Sequence, residues 1–248
     1  MGLLVDALHW GPTPVATGIE RCRELLATAG ENPASRAMLN ATLGAMLASQ
    51  GSFDEARELY AESAELNDRM GLRFRRAVSA LYGAEIELLA GDPPAAESEL
   101  RRAYETLEAM GESGTRAVVA ALLAFALCSQ ERDDESWALI ELAEEITDPG
   151  DLFPLVLERT TRARLLARQG ATGPAEEMAR DALALAATTD CVSLHAHTRL
   201  ALATALAQAG RHDDARELID QARAIHQAKG NLVAAERVAA LVALTQPL

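Results

Sequence analysis

Lysine is nearly missing from this chain of 248 residues: Lys229 is the single lysine, and every other basic residue is arginine or histidine. Basic residues are also outnumbered, because 37 Asp and Glu against 23 Lys and Arg give a formal net charge of −14. Nucleic acids and anionic membranes attract basic surfaces, so this balance argues against both as main partners. Aromatic residues make up only 4% of the chain, so aliphatic side chains must build nearly all of the core.

Cysteines and long apolar runs are scarce as well. Cys22, Cys128 and Cys191 lie far apart and are odd in number, which fits a reducing cytosol and offers no disulfide framework. No apolar run reaches the roughly 18 residues that a membrane-spanning helix needs. Residues 1–5 are too few for the core of a signal peptide, and no basic residue precedes them. These absences predict a cytoplasmic chain without a membrane span.

The common motifs of enzymes are absent too. We find no phosphate-binding loop, no dinucleotide fingerprint, no His-Glu-x-x-His and no Cys-x-x-Cys. Cys191 and His195 share a helix face, but a zinc site usually needs three or four ligands. We therefore predict no catalytic, cofactor-binding or metal-binding residues. The alternative is an enzyme for a small acidic substrate, although no acid/base pair at suitable spacing supports it. Its candidate residues are Glu85, Arg164, Arg168 and His197.

What the sequence does contain is an internal repeat. The turn at residues 51–56 recurs at 91–96, 170–175 and 210–215, with a degenerate copy at 131–136. The residue that closes each turn is small, and successive copies are 40, 40, 39 and 40 residues apart. Another small residue lies 12 positions before each of these, and a third lies 7 positions after. These fifteen small-residue positions are Gly44, Ala56, Ser63, Ala84, Ala96, Ala103, Ala124, Ser136, Ala143, Ala163, Ala175, Ala182, Ala203, Ala215 and Ala222.

Such a pattern predicts pairs of antiparallel helices. Two helices approach closely only where both carry small side chains at the crossing. In the first unit, helix A is expected over residues 34–49 and ends at Gly51. Ser52 and Glu55 can form a capping box for helix B, and Asp92 can cap helix B of the second unit. No stretch alternates apolar and polar residues long enough to argue for a sheet.

The best copy, with Leu43-Gly44, Ala56 and Tyr60, resembles the tetratricopeptide repeat. That resemblance implies an all-α, right-handed α-solenoid that binds proteins and is not an enzyme. The sequence departs from the family in its period of about 40 instead of 34, and in Gly83 and Arg162 at large apolar positions. We expect the extra residues between helix B and the next helix A. A HEAT or armadillo superhelix is the alternative fold.

The whole chain, residues 1–248, is expected to form a single solenoid. Five repeats are predicted over residues 34–230, a partial repeat over 1–33 and a capping helix within 231–248. An array that begins with half a unit would leave one face open. The half-unit therefore predicts that the sequence starts inside a longer protein, or that this face meets a partner, for example in a homodimer.

Three further segments, residues 6–14, 163–170 and 229–235, resemble the C-terminal repeat region of large actinobacterial regulators. In those proteins the repeats accompany an NTPase module and a nucleotide-cyclase or DNA-binding domain. The resemblance implies a regulatory or sensor role in bacterial signalling or transcription regulation. It also implies an upstream NTPase or DNA-binding domain as a partner within a longer parent chain.

In the resembled family, helix A lines a concave groove that holds a protein or peptide segment. The register then predicts an apolar middle and a basic end, suited to an amphipathic helix or to an extended peptide with an acidic end. The alternatives are that these side chains only pack helices A together, or that a short signal peptide binds and changes the curvature. The predicted groove residues are Leu81, Tyr82, Glu85, Phe125, Thr160, Arg164, Arg168, His197, Thr204 and Gln208.

Overall fold

The structure, a computed structural model, describes residues 2–28 and 32–244, and these residues form thirteen α-helices and no β-strand. The first six helices are α1 (Gly2–Trp10), α2 (Val15–Thr28), α3 (Pro33–Ser49), α4 (Phe53–Arg69), α5 (Arg73–Ala90) and α6 (Pro93–Met110). The others are α7 (Gly114–Ser129), α8 (Asp133–Ile146), α9 (Leu152–Arg168), α10 (Thr172–Ala186), α11 (Val192–Gln208), α12 (His212–Lys229) and α13 (Leu232–Leu244). Within this part of the chain, no helix combines the length and apolar character that crossing a membrane requires.

The helices are arranged in pairs along an α-solenoid, as predicted. The five full units are α3–α4, α5–α6, α7–α8, α9–α10 and α11–α12, and α13 packs on the last of them. Helices A (α3, α5, α7, α9 and α11) pack on one another from unit to unit, whereas helices B make no comparable contact with each other. The chain therefore curves with helices A on its concave side and helices B on its convex side.

The fifteen small-residue positions are all buried. A Cβ atom added at Gly44 would lie 2.8 Å from the backbone oxygen of Ala56 on the facing helix. In the third unit, the Ser136 hydroxyl donates a hydrogen bond of 2.8 Å to the Ala124 carbonyl across the same crossing. The predicted helix crossings are thus confirmed, because only small side chains leave room for such close backbones.

The two departures from the family pattern have local explanations. At Gly83 the missing side chain is replaced by the Tyr60 ring of the preceding helix B, which a Cβ atom on Gly83 would approach to 2.3 Å. The Tyr60 hydroxyl donates to Glu99 at 2.6 Å. Arg162 lies over the ring of Trp137, 5.8 Å from its centroid, and forms a 3.0 Å ion pair with Glu158. The space at Gly83 is therefore filled by Tyr60 from the neighbouring helix, and the space at Arg162 is filled by its own side chain.

Two predictions of local structure are wrong. Helix B and the next helix A are joined by only three to five residues, so the extra residues lengthen the helices, which run to 14–18 residues in the five units. Ser52 occupies the N-cap position of α4 but forms no side-chain cap, so the capping box is not made. Asp92 does cap α6, because its carboxylate accepts from the Ala95 amide at 3.0 Å.

The solenoid curves so strongly that its last helices touch its first units. Arg237 on α13 donates two hydrogen bonds of 2.6 Å to the Leu88 and Leu89 carbonyls at the end of α5. Lys229 at the end of α12 bonds to the turn between α1 and α2, and Gln50 donates to the Gly230 carbonyl. We call these three the closing contacts. They narrow the concave side and bring together residues from distant units.

Candidate functional site

Three of the predicted groove residues meet on the concave side, one from each of three successive helices A. The guanidinium of Arg164 on α9 lies over the Phe125 ring of α7, 5.1 Å from its centroid. The His197 ring of α11 stacks on the same Phe125 ring at 5.4 Å and 24°. Phe125 and Arg164 occupy corresponding positions, each directly after the small residue of its helix A. His197 lies two helical turns before the corresponding position of α11, on the same helix face.

This cluster carries a cation without an anionic partner. Within the described ranges, Arg164 makes no hydrogen bond or ion pair, and burial lowers its pKa from the ordinary value. Burial also lowers the pKa of His197 to about 3, so its ring is neutral near pH 7. The Nδ1 atom of His197 is buried and has no hydrogen-bond partner among those residues. A charged group and an unsatisfied ring nitrogen that contact the same aromatic ring are suited to hold an acidic group.

The other predicted residues in the second half of the groove are engaged within the chain. Arg168 donates to the Cys128 carbonyl at 2.8 Å and pairs with Asp133, so it ties α9 to the preceding unit. Thr160 is fully buried and bonds to its own helix. Thr204 is half-buried and also bonds to its own helix, whereas Gln208 is exposed. The basic end of the groove therefore consists of Arg164 alone.

In the first half of the groove, α1 covers two of the predicted residues. The Tyr82 hydroxyl donates to the Asp6 carboxylate at 2.7 Å, and the His9 ring lies 2.6 Å from the Glu85 carboxylate. The Trp10 ring stacks on Tyr82, with 6.1 Å between centroids and 27° between planes. Leu81 is half-buried and packs into the core of the second and third units. The expected apolar middle is therefore occupied by another part of the same chain.

Lys229 holds the turn that follows α1. Its ammonium donates to the carbonyls of Leu8 at 3.0 Å, Gly11 at 2.6 Å and Thr13 at 2.6 Å, which uses all three of its N–H bonds. Burial lowers the pKa of Lys229. Beside it is a cavity of about 30 Å³, lined in part by His9, Glu85, Lys229 and His226. This volume admits about one water molecule.

A larger recess lies between α3 and α5, and Tyr82 is one of the residues that line it. Its volume is about 130 Å³. Its lining is mostly apolar and includes Met38, Ala41, Phe74 and Val78. An apolar cavity of about 150 Å³ can hold a benzene ring, so this recess can receive one aliphatic or aromatic side chain.

Sequence reasoning missed five residues that build the covered part of the groove: Asp6, His9, Trp10, Phe153 and Lys229. Phe153 on α9 meets the edge of Trp10 at 5.6 Å. One signal was present, because a single lysine in an arginine-rich chain marks an unusual position. The contacts themselves depend on how far the solenoid curves, and no local sequence pattern predicts that curvature.

Cys191 and His195, the pair considered for zinc, have other partners. The His195 ring lies 2.9 Å from the Thr189 carbonyl, and the Cys191 thiol lies 3.4 Å from the Ser193 hydroxyl. Burial raises the pKa of Cys191, which disfavours the thiolate that would bind a metal. Among residues 2–28 and 32–244, no group of three or more His, Cys, Asp or Glu could hold a metal ion.

A comparison with protein families finds the tetratricopeptide repeat in two segments, residues 41–67 and 195–229. The first segment falls in α3 and α4, and the second falls in α11 and α12, so each contains the crossing of one helix pair. No curated protein matches the chain. The match supports a tetratricopeptide-repeat family, whose members generally mediate protein–protein interactions and are typically scaffolds without enzyme activity.

Proposed function

We propose that this chain is a non-enzymatic interaction module that docks a protein segment on its concave surface, with an acidic group of that segment at Arg164. The observation that carries the proposal is the guanidinium of Arg164, half-buried on the Phe125 ring, with no carboxylate paired to it among the residues that the structure describes. The match of two segments to a family of interaction repeats supports the same function.

The physical reason is the free energy of a desolvated charge. A partly buried cation without a counter-ion has lost part of its hydration, and the contact of Arg164 with the Phe125 ring offsets only part of that loss. An incoming carboxylate would restore that loss through a charge-assisted hydrogen bond, which is among the stronger contacts at an interface. The Phe125 ring holds the guanidinium plane in place, so little side-chain entropy is lost when the partner binds.

Binding to synthetic peptides with an acidic residue in an amphipathic helix tests this proposal, with fluorescence anisotropy as the readout. Arg164→Met keeps most of the side-chain volume and removes the charge, and we expect affinity to fall by about 30-fold or more. Arg180→Met is the matched control, because Arg180 pairs with Glu176 on the exposed side of α10. Equal affinities of the Arg164→Met variant and the native chain would contradict the proposal.

We further propose that the module is the regulatory or sensor part of a bacterial signalling or transcription-regulator protein, with an NTPase or DNA-binding domain as a neighbour in the parent chain. The resemblance of residues 6–14, 163–170 and 229–235 to the C-terminal repeat region of large actinobacterial regulators supports this context. The mass of the polypeptide made by its host tests it, since a product much larger than 26.4 kDa is expected. A product of 26.4 kDa would instead indicate a free-standing adaptor.

A second candidate function, peptide sensing through a change of curvature, is favoured by the closing contacts. A wider curve would break the bonds of Lys229 and Arg237 to the first units. Small-angle X-ray scattering should then show a larger radius of gyration when the peptide binds. An unchanged radius at saturation would remove this candidate.

The homodimer through the first helices remains a prediction. Arg21, Arg23 and Glu24 on α2 are exposed, and such a charged surface is unlike the apolar interface of an obligate dimer. Sedimentation equilibrium at several concentrations tests it directly, since a dimer that dissociates on dilution is the form this surface would support.

A further inference from the structure

The helix α1 does not interlock with α2 as the helices of the full units do. The 40-residue period places Leu4, Ala16 and Arg23 where the first full unit has Gly44, Ala56 and Ser63. Leu4, Ala16 and Arg23 are exposed, whereas all fifteen small-residue positions are buried. The close crossing that fixes a helix pair is therefore missing between α1 and α2.

Instead, α1 lies in the groove as an amphipathic helix. Val5 is fully buried and His9 is 7% exposed, while Leu4 and Ala7 face the other way and are exposed. The buried face contacts two distant helices A, α5 through Tyr82 and Glu85 and α9 through Phe153. This is how a helical ligand occupies a groove, with anchors spaced by one turn along one face.

Two features make this helix displaceable. With nine residues, α1 is too short to be stable on its own, so it is a helix only while the groove holds it. Its exit turn, residues 11–14, is held by the ammonium of Lys229, so this one side chain contributes three of the hydrogen bonds that keep α1 in place.

We infer that α1 is an intramolecular ligand of the groove, latched by Lys229, and that the external partner is an amphipathic helix of the same chemistry. That helix would carry an aliphatic residue, a carboxylate next to it, and a histidine and a large aromatic residue one turn later, in the order of Val5, Asp6, His9 and Trp10. It would take the place of α1 on Tyr82, Glu85 and Phe153. This inference rests on the proposed function, because it requires that the groove accept a protein helix.

Tryptophan emission shows whether α1 is in the groove. The chain has two tryptophans, so Trp137→Phe leaves Trp10 as the single emitter. In that background, Lys229→Met removes the latch and should shift the Trp10 emission to longer wavelength as the ring enters water. Asp6→Ala, which removes the acceptor for Tyr82 from α1 itself, should shift the emission in the same direction. Arg180 lies on α10, far from Lys229, so Arg180→Met should leave the emission unchanged.

Binding of α1 in trans then tests the partner chemistry. The probe is a fluorescein-labelled peptide of residues 2–10, which lacks the Gly11 and Thr13 carbonyls that bond to Lys229, with a scrambled peptide as its control. Because α1 competes with the probe in the native chain, the Lys229→Met variant should bind the probe about tenfold more tightly. Adding Tyr82→Phe removes the hydroxyl that meets the carboxylate and should weaken binding by about fivefold. Circular dichroism confirms that each variant keeps its helices.

The native chain offers a second readout, since Lys229 is its only side-chain amine and the probe has none. Saturating probe should speed acetylation of Lys229, as measured by peptide mapping, because displacement of α1 frees the ammonium from the Gly11 and Thr13 carbonyls, which the probe does not carry. A rate that stays constant or falls at saturation contradicts displacement.

The outcomes separate this inference from the proposed function. If Trp10 emission and probe affinity are the same in the Lys229→Met variant and the native chain, the inference is overturned, and acidic peptides at Arg164 still test the groove. If Trp10 is released in the Lys229→Met variant but no variant binds the probe, the chemistry inferred for the external partner helix is refuted. A shift of emission together with tighter, Tyr82-dependent binding supports the inference.

Discussion

Replacement of Gly44 by alanine sets two free-energy terms against each other at a single crossing. An added Cβ atom would lie 2.8 Å from the Ala56 backbone oxygen and 3.5 Å from the Ile86 Cδ1 atom. Contacts between carbon and a carbonyl oxygen are about 3.3 Å or longer, so α3 and α4 must separate by about 0.5 Å. The obstacle is backbone, which cannot rotate aside as a side chain can.

The cost of overpacking exceeds the gain in helix propensity, so we expect Gly44→Ala to be destabilising. Alanine is better than glycine inside a helix by about 1 kcal/mol. Overpacking of a close-packed contact costs about 1–3 kcal/mol. We therefore expect Gly44→Ala to lower the free energy of unfolding by about 1 kcal/mol, which for a chain of this size corresponds to a fall in Tm of about 2–4 °C.

Gly173→Ala is the matched control. Gly173 lies in the first turn of α10, and a Cβ atom added there meets nothing within 4 Å. This variant should be as stable as the native chain or more stable, by up to about 1 kcal/mol. Urea denaturation followed by helical circular dichroism gives both values. If the two variants shift in the same direction by the same amount, the close crossing of α3 and α4 is not what stabilises the unit.

Three other predictions concern packing and pH. Ala96→Leu should cost about 1–3 kcal/mol in a denaturant titration, whereas Ala109→Leu at an exposed position should cost little; equal effects would reject the register. Gly83→Ala should be destabilising because its Cβ atom meets the Tyr60 ring, and in a double-mutant cycle Tyr60→Ala should relieve most of that effect; additive effects would contradict the contact. Burial lowers the pKa of His226 from 6.5 to about 4, so its neutral form is favoured in the folded chain. The free energy of unfolding should therefore decline as pH falls from about 6.5 towards 4. His226→Gln should flatten this decline, and an unchanged slope would show that His226 is not its cause.

The helix pairs could be predicted because their signal is local. A small residue recurs at each crossing, and every one of the fifteen positions is buried. The boundaries followed from the same register: residues 34–49 were expected for the first helix A, and Pro33–Ser49 is observed. The lengths of the connections were mispredicted, because a period of 40 does not say whether extra residues extend a helix or a loop.

The groove could be predicted only in part, for a reason that Phe125 and Tyr82 illustrate. Phe125 and Arg164 come together because corresponding positions in successive units are neighbours, and His197 joins them from α11, two turns before the corresponding position. Tyr82 meets Asp6, 76 residues away, because small rotations between units add up until the array meets itself. The total rotation depends on the packing of every helix crossing, so it cannot be predicted from the sequence pattern within one repeat.

The closing contacts have a consequence for how this array unfolds. In an open solenoid each repeat touches only its neighbours, so the outer repeats fray first and unfolding spreads inward. Here Arg237 and Lys229 join the last units to the first, so an outer repeat cannot detach without breaking bonds at the opposite end of the array. A chain of nearest-neighbour interactions has become a cycle. Its first and last full units should share one cooperative transition, and because Lys229 contacts residues more than 200 positions away, the cycle can close only late in folding.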